Sequence, residues 1–379
     1  MQARLPIALT TAAVLLAGSG ALAASHQLKQ TFRSAAEQQT SVEIHNLAGA
    51  ARVVPAQGNE LVVEYTVVGG GKDEAEARAL AERVKLETKQ KGKELELVFR
   101  YPTDAYDAFI YEGLGSGSNT NTEYLGKRVR ISGSSVRGAV PLHVDLVVQI
   151  PKGMALELEH VVGALVAEGV QSDIELEVTA GTIGALGGQG ELSADTASGD
   201  ITVASQRGPV SIDSASGEVA LDRIDGTIDV DTGSGDISIK GSRGAAFNVD
   251  TGSGSITVDD SSADLDMDTG SGDVSARGLI AGSRMHVDTG SGDVNVRGDL
   301  SAVRDLDIDA ASGGVTIETS KPLDLSLAID SSSGDIKVEL PGMRDVRSTE
   351  GEFAATLGAG TGRAEIDTAS GGVRITLVQ

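Results

Sequence analysis

Apolar and polar positions alternate along most of this chain, in runs of four to six residues that suit strands. A representative stretch is 227–240. Ile228 and Val230 alternate with Asp229 and Asp231, and after Thr232-Gly233-Ser234-Gly235, Ile237 and Ile239 alternate with Asp236 and Ser238. A period of two places the aliphatic side chains on one face of a strand and the charged ones on the other. A helix is disfavoured here, because glycine recurs every few residues and the apolar positions are largely β-branched.

The phrase repeats. Its opening residue falls at Glu159, Glu177, Asp195, Asp213, Asp231, Asp250, Asp268, Asp288, Asp309, Asp330, Arg347 and Asp367, in steps of 17 to 21 residues. Glycine follows four places later in all twelve copies, from Gly163 to Gly371, and nine of them have serine just before it. Two places after the glycine the residue is always apolar, as in Leu165, Ile201, Ile256 and Val373. A unit of about 20 residues cannot bury its own apolar face and must stack on the next. The fold class predicted is all-β: a parallel β-solenoid of about twelve or more coils, with one short helix near the N-terminus. At ~4.8 Å per coil the column would be about 55 Å long. Ile237, Ile256, Val274 and Val294 should form one buried ladder.

Residues 25–150 are less regular than the repeats over 151–379. Residues 41–54 read as one degenerate coil, and 61–68 and 94–100 as strands. A helix is expected over 73–89, with Asp73 and Glu76 as a capping box and Ala77, Leu80, Ala81 and Val84 along one face. Residues 101–127, rich in Gly, Ser, Asn and Tyr, read as a loop. Strand resumes from Leu142 to Leu158, with a turn at Pro151-Lys152-Gly153.

Residues 1–24 have the pattern of a secretory signal peptide: Arg4, an apolar stretch from Ile7 to Leu16, and Ala21-Leu22-Ala23 for cleavage. No cysteine follows the apolar stretch, so no lipoprotein anchor is expected, and no later segment reads as a membrane span. The expected location is periplasmic or secreted. The chain has no Cys, no Trp, 3% aromatic residues and 49 glycines. That suits a narrow aliphatic column with many turns, stabilised by stacking rather than by disulfides. The net charge of −24 argues against nucleic acid and anionic membrane as partners, and keeps an edge-rich β protein from self-association. A monomer is expected.

Candidate chemistry is sparse. Asp-Thr-Gly-Ser at 231, 250, 268 and 288 matches the active-site phrase of aspartic proteases. Such an enzyme needs two aspartates converging across a cleft, whereas these copies are translated along one repeat. The reading preferred is structural, with each aspartate accepting N–H groups of its own turn. The calcium β-roll has Gly-Gly-x-Gly-x-Asp-x-apolar-x twice per coil. Here Asp directly follows Gly, once per coil, so no metal ligand is assigned. His26, His45, His143, His160 and His286 show no metal spacing. No catalytic constellation and no cofactor motif is found. Residues 101–124 hold half of the chain's ten aromatics. Clustered tyrosine on a loop makes a common recognition surface, so Tyr106, Phe109 and Tyr111 are the candidate partner-binding residues. The bland alternative is that these rings cover a flank of the column.

Val147-Val148-Gln149-Ile150-Pro151-Lys152-Gly153, then Leu156-Glu157-Leu158, then the copies of Asp-Thr-Gly-Ser-Gly-Asp-Ile/Val resemble the bacterial putative-adhesin family with β-strand repeats. The resemblance spans about residues 40–379. It implies an exported β-solenoid and supplies no catalytic residues. The expected function is a non-enzymatic binding or scaffolding module of the cell envelope, whose partner is an envelope protein or glycan. The alternatives are a carbohydrate-active enzyme on a solenoid and a calcium-stabilised secreted column.

Overall fold

The structure, a computed structural model, describes residues 24–36 and 39–378. The expected export signal over 1–24 lies outside these residues except for Ala24. The chain folds as a parallel β-solenoid. Each regular coil contributes one strand to a first sheet and, after a corner, a second strand to a second sheet. In the first sheet Ile174–Ala180 pairs in parallel with Ala155–Val162 on one side and Leu192–Ser198 on the other. In the second, Ile183–Leu186 lies between Leu165–Glu168 and Ile201–Ala204. The expected ladder is observed: Ile237, Ile256, Val274 and Val294 are in register on consecutive coils and at most 1% exposed.

The glycine of the phrase has a steric cause. A Cβ on Gly199 would lie 1.7 Å from the carbonyl oxygen of Gly181, and one on Gly217 2.1 Å from that of Gly199. Each coil turns its corner with its backbone directly over the corner below, leaving no room for a side chain. This line of contacts also gives the stacking order: Gly49, 163, 181, 199, 217, 235, 254, 272, 292, 313, 371, 334.

That order corrects the sequence reading twice. The coil expected at Arg347, with Gly351 and Phe353, is not a coil. Arg344–Ser348 and Glu352–Thr356 form an antiparallel hairpin that covers the outer edge of Leu325–Ser331. The last coil of the chain is also not last in the column. Gly362–Thr368 is inserted between Asp305–Ala310 and Leu325–Ser331, in parallel with both.

At the other end the degenerate coil is real: β2 (Ser41–Ala48) and β3 (Ala51–Pro55) pair with Ala155–Val162 and Leu165–Glu168. β1 (Ala24–Ala35), unassigned from sequence, lies antiparallel to β4 (Glu60–Gly71). The helix is shorter than expected: α1 spans Glu74–Ala81, and β5 (Lys85–Lys91) follows it as a strand. Its start is as read, with the Glu76 N–H donating to Asp73 at 2.9 Å. α1 rests on β4 at Gly69, where a Cβ would meet the Ala77 carbonyl at 2.4 Å. β5 is held by its antiparallel ladder to β6 (Glu94–Arg100), and with Leu86 as its one apolar residue it shows no alternation.

The stretch expected as a loop is partly a sheet. β7 (Ala108–Ile110) and β9 (Lys127–Ser132) are parallel, and β8 (Asn119–Tyr124) pairs antiparallel with β9 through a two-residue turn at Leu125-Gly126, both at positive φ. β10 (Val140–Ile150) joins this small sheet to the column, pairing with β7, β3 and β4.

Candidate functional site

Two surfaces could do chemistry: the outer face of the first sheet, and the excursion formed by β7, β8 and β9. On the outer face, Asp195, Asp213, Asp231, Asp250, Asp268 and Asp288 stand in register on consecutive coils. Asp309, Asp367 and Asp330 continue the line in the corrected stacking order. Burial, and then the neighbouring carboxylates, hold Asp195, Asp250, Asp268 and Asp367 above the usual carboxylate range. His45 occupies the same line at its N-terminal end, beside Glu159 and Glu43. Glu159 in particular raises its imidazole pKa.

These aspartates do not tie their own turns, which corrects the sequence reading. Two other groups fasten the corners. The hydroxyls of Thr269 and Thr289 donate to the carbonyls of Gly254 and Gly272 on the preceding coil, at 2.9 and 3.1 Å. The carboxylates of the Gly-Asp residues Asp236 and Asp273 accept N–H groups of the next coil, from Ser255 and Asp293, both at 2.9 Å. The opening aspartates are left on a straight line, so no pair faces another across a cleft as a protease would require. Among the described residues, no group of three or more His, Cys, Asp or Glu side chains converges in a way that could hold a metal ion.

The excursion is built on a small aromatic core. Phe109 and Ile131 are paired residues on one face of the sheet, and both are 0% exposed. Tyr101 packs edge-on against Phe109 and Tyr124, with ring centroids 5.6 and 6.0 Å away. Burial raises the pKa of both phenols. The Tyr101 hydroxyl lies 3.1 Å from Asn46 Oδ1 and 3.0 Å from the Ala48 carbonyl. The Tyr124 hydroxyl donates to the Phe99 carbonyl at 2.7 Å. His160, also buried, donates from Nε2 to the Gly49 carbonyl at 2.8 Å, and desolvation lowers its pKa. This network fastens the excursion to the first coil.

The three candidate residues therefore separate. Phe109 is core and cannot touch a partner. Tyr111 is partly buried against the core and beside His143, at 5.1 Å, and burial pushes its hydroxyl up to about 12. Tyr106 alone of the three lines a cleft, of about 540 Å³, between α1 and the excursion, with the Arg83 guanidinium 5.6 Å from its ring centre. Aromatic density here marks a widening of the one continuous core at the N-terminal end; in the regular column Phe247 is a ring buried in register with Ile228 and Leu265.

The sequence reading overlooked a second cleft on the other side of the excursion. It has a volume of about 670 Å³, and Arg128, Arg130 and Arg137 line it together with Asp107, Asn121 and Glu123. Its sequence signal was Arg-Val-Arg at 128–130, two cations on one strand face in an acidic chain.

The coil geometry defines a parallel β-solenoid with an elaborated N-terminal end. The chain belongs to the Toastrack DUF4097 family, whose sequence profile matches residues 143–376. Among solved structures, it is similar to a "putative cell adhesion protein" from Clostridium sporogenes ATCC 15579. Identity is 11%, the match covers 93% of this chain and 100% of that one, and the TM-score is 0.17. No curated protein matches the chain. No helix among the described residues is long and apolar enough to cross a membrane.

Proposed function

We propose that the chain is a non-enzymatic, adhesin-like binding or scaffolding module, exported to the cell envelope, in which the solenoid carries the excursion at one end of a column. The supporting observation is where the clefts lie. Both described above open on the excursion, where side chains are released from the demands of stacking. On the column the carboxylates follow the repeat, which suits a scaffold. Export rests on Arg4, the apolar stretch 7–16 and the small residues at 21 and 23. The partner is an envelope protein or glycan, since the charge of −24 disfavours nucleic acid and anionic lipid.

The test is retention of fractionated cell-envelope polysaccharide and protein on the immobilised chain, with reducing sugar ends assayed in the same samples. Specific retention that falls with Tyr106→Ala or with changes in the arginine cleft supports the reading. Retention of nothing overturns it. Sustained release of reducing ends replaces it with the carbohydrate-active enzyme.

A further inference from the structure

We infer that the arginine cleft binds an acidic saccharide unit, its carboxylate held by Arg128, Arg130 and Arg137 and its hydroxyls by Asp107, Asn121 and Glu123. This deepens the binding-module reading and rests on it. β9 alternates Arg128, Val129, Arg130 and Ile131, with Val129 and Ile131 buried and both arginines outward. Asn121 stands opposite Arg130 across the ladder to β8, and Glu123 opposite Arg128. Arg137, from the segment after β9, lines the same cleft.

Charge makes this site unusual. Lys and Arg number 31 against 55 acidic residues. Arg52 pairs with Glu168, Arg100 with Glu87, Arg243 with Asp225 and Arg363 with Glu365, while others such as Arg207, Arg277 and Arg284 form no salt bridge among the described residues; what sets this cleft apart is that three such arginines line it together. Among the described residues, none of Arg128, Arg130 and Arg137 forms a salt bridge, although Glu123 and Asp107 share their cleft. Three guanidinium groups lining one cleft without a salt-bridge partner leave donors free for an oxyanion, which they would hold through charge-assisted, bidentate hydrogen bonds. A ligand dense in negative charge is disfavoured by the two carboxylates of the rim. Those carboxylates and the Asn121 amide are suited to sugar hydroxyls. One anionic group among several hydroxyls is the chemistry of a hexuronic acid, and a cleft of about 670 Å³ lies within the size range of small-molecule sites.

The same arginines would also attract a free inorganic anion, so the experiment compares sources. Titration calorimetry of the purified chain uses digalacturonic acid, the neutral galactose disaccharide and sodium sulfate. The acidic disaccharide should bind at least about tenfold more tightly than sulfate, and the neutral one should give no heat of binding. Arg128→Gln with Arg130→Gln should weaken the acidic disaccharide by about tenfold or more with circular dichroism unchanged, and Asp107→Asn should weaken the disaccharide relative to sulfate, whose binding it should leave equal or tighter. Equal affinity for sulfate, equal affinity for the neutral disaccharide, or no binding at all overturns the inference. A chain that retains envelope material yet ignores the acidic disaccharide overturns this inference alone. One that binds the disaccharide but retains no envelope fraction supports the cleft and removes the module reading.

Discussion

Gly199→Ala tests the physical basis of the column. Gly199 turns its corner at φ +138°, and an added Cβ would lie 1.7 Å from the Gly181 carbonyl oxygen, 2.6 Å from its carbon and 3.4 Å from its Cα. That oxygen distance is about 1.5 Å short of ordinary carbon–oxygen contact. The two coils must part, and the bonds across that corner are Gly181 N–H to the Ser198 carbonyl at 2.9 Å and Ile183 N–H to Asp200 at 3.0 Å. Losing both costs about 2 kcal/mol, and holding alanine at that φ costs about 1–3 more. The expected loss is about 3–5 kcal/mol, a large share of the stability of an ordinary domain. Gly187→Ala is the control: its φ is +68°, but no atom lies within 4 Å of the added Cβ, so about 1 kcal/mol should be lost. Urea unfolding followed by circular dichroism measures both. If the two variants lose equal stability, the close approach of successive corners is not what selects glycine.

Ile256→Asp places a charge at a position 0% exposed between Ile237 and Val274, and should cost several kcal/mol; a melting temperature within about two degrees of the parent would reverse the inward assignment. Asp250→Asn should stabilise the chain by about 1 kcal/mol at pH 7, because it removes a partly desolvated charge and its repulsion from Asp231 and Asp268 at ~4.8 Å, screened by water and salt. The folded carboxyl titrates above its unfolded value, so the parent recovers as pH falls through that range, and the gain should vanish near pH 3; a pH-independent gain would show that repulsion is not the cause. Deleting 357–379 removes the coil between Asp305–Ala310 and Leu325–Ser331, so hydrogen exchange should quicken over 325–356 and stay slow through Thr319. Unchanged protection over 325–339 would mean that this coil docks directly on the one before it.

The arginine cleft was the least legible part of the candidate site. Arg128 and Arg130 could be read as one strand face, but Asp107 joins them only because β7 lies beside β9, and Arg137 because the segment after β9 lines the same cleft. Tyr106, Phe109 and Tyr111 were conspicuous as residues, yet their exposure was decided by strand alternation in a segment too polar and too short to show it. Phe109 falls on the inner face, opposite Ile131.

By itself the sequence determined the coil. Alternation, the corner glycine and the buried aliphatic ladder are local properties, repeated in nearly identical surroundings, so each copy reinforces the reading of the others. Tertiary structure alone decided the order of the stack and the elements at its ends. The phrases at Asp309, Asp330 and Asp367 present equivalent edges, and either neighbour satisfies their hydrogen bonds. What distinguishes them is the hairpin Arg344–Thr356: by lying antiparallel on Leu325–Ser331 it makes that coil terminal and leaves the inner position to Gly362–Thr368. At the N-terminal end β1 and β5 are strands because β4 and β6 offer them backbone partners. β5 is mostly polar and exposed and carries no alternation, and in β1 the face that is half-buried has Leu28 and Phe32 spaced among polar residues, a signal too sparse to read alone.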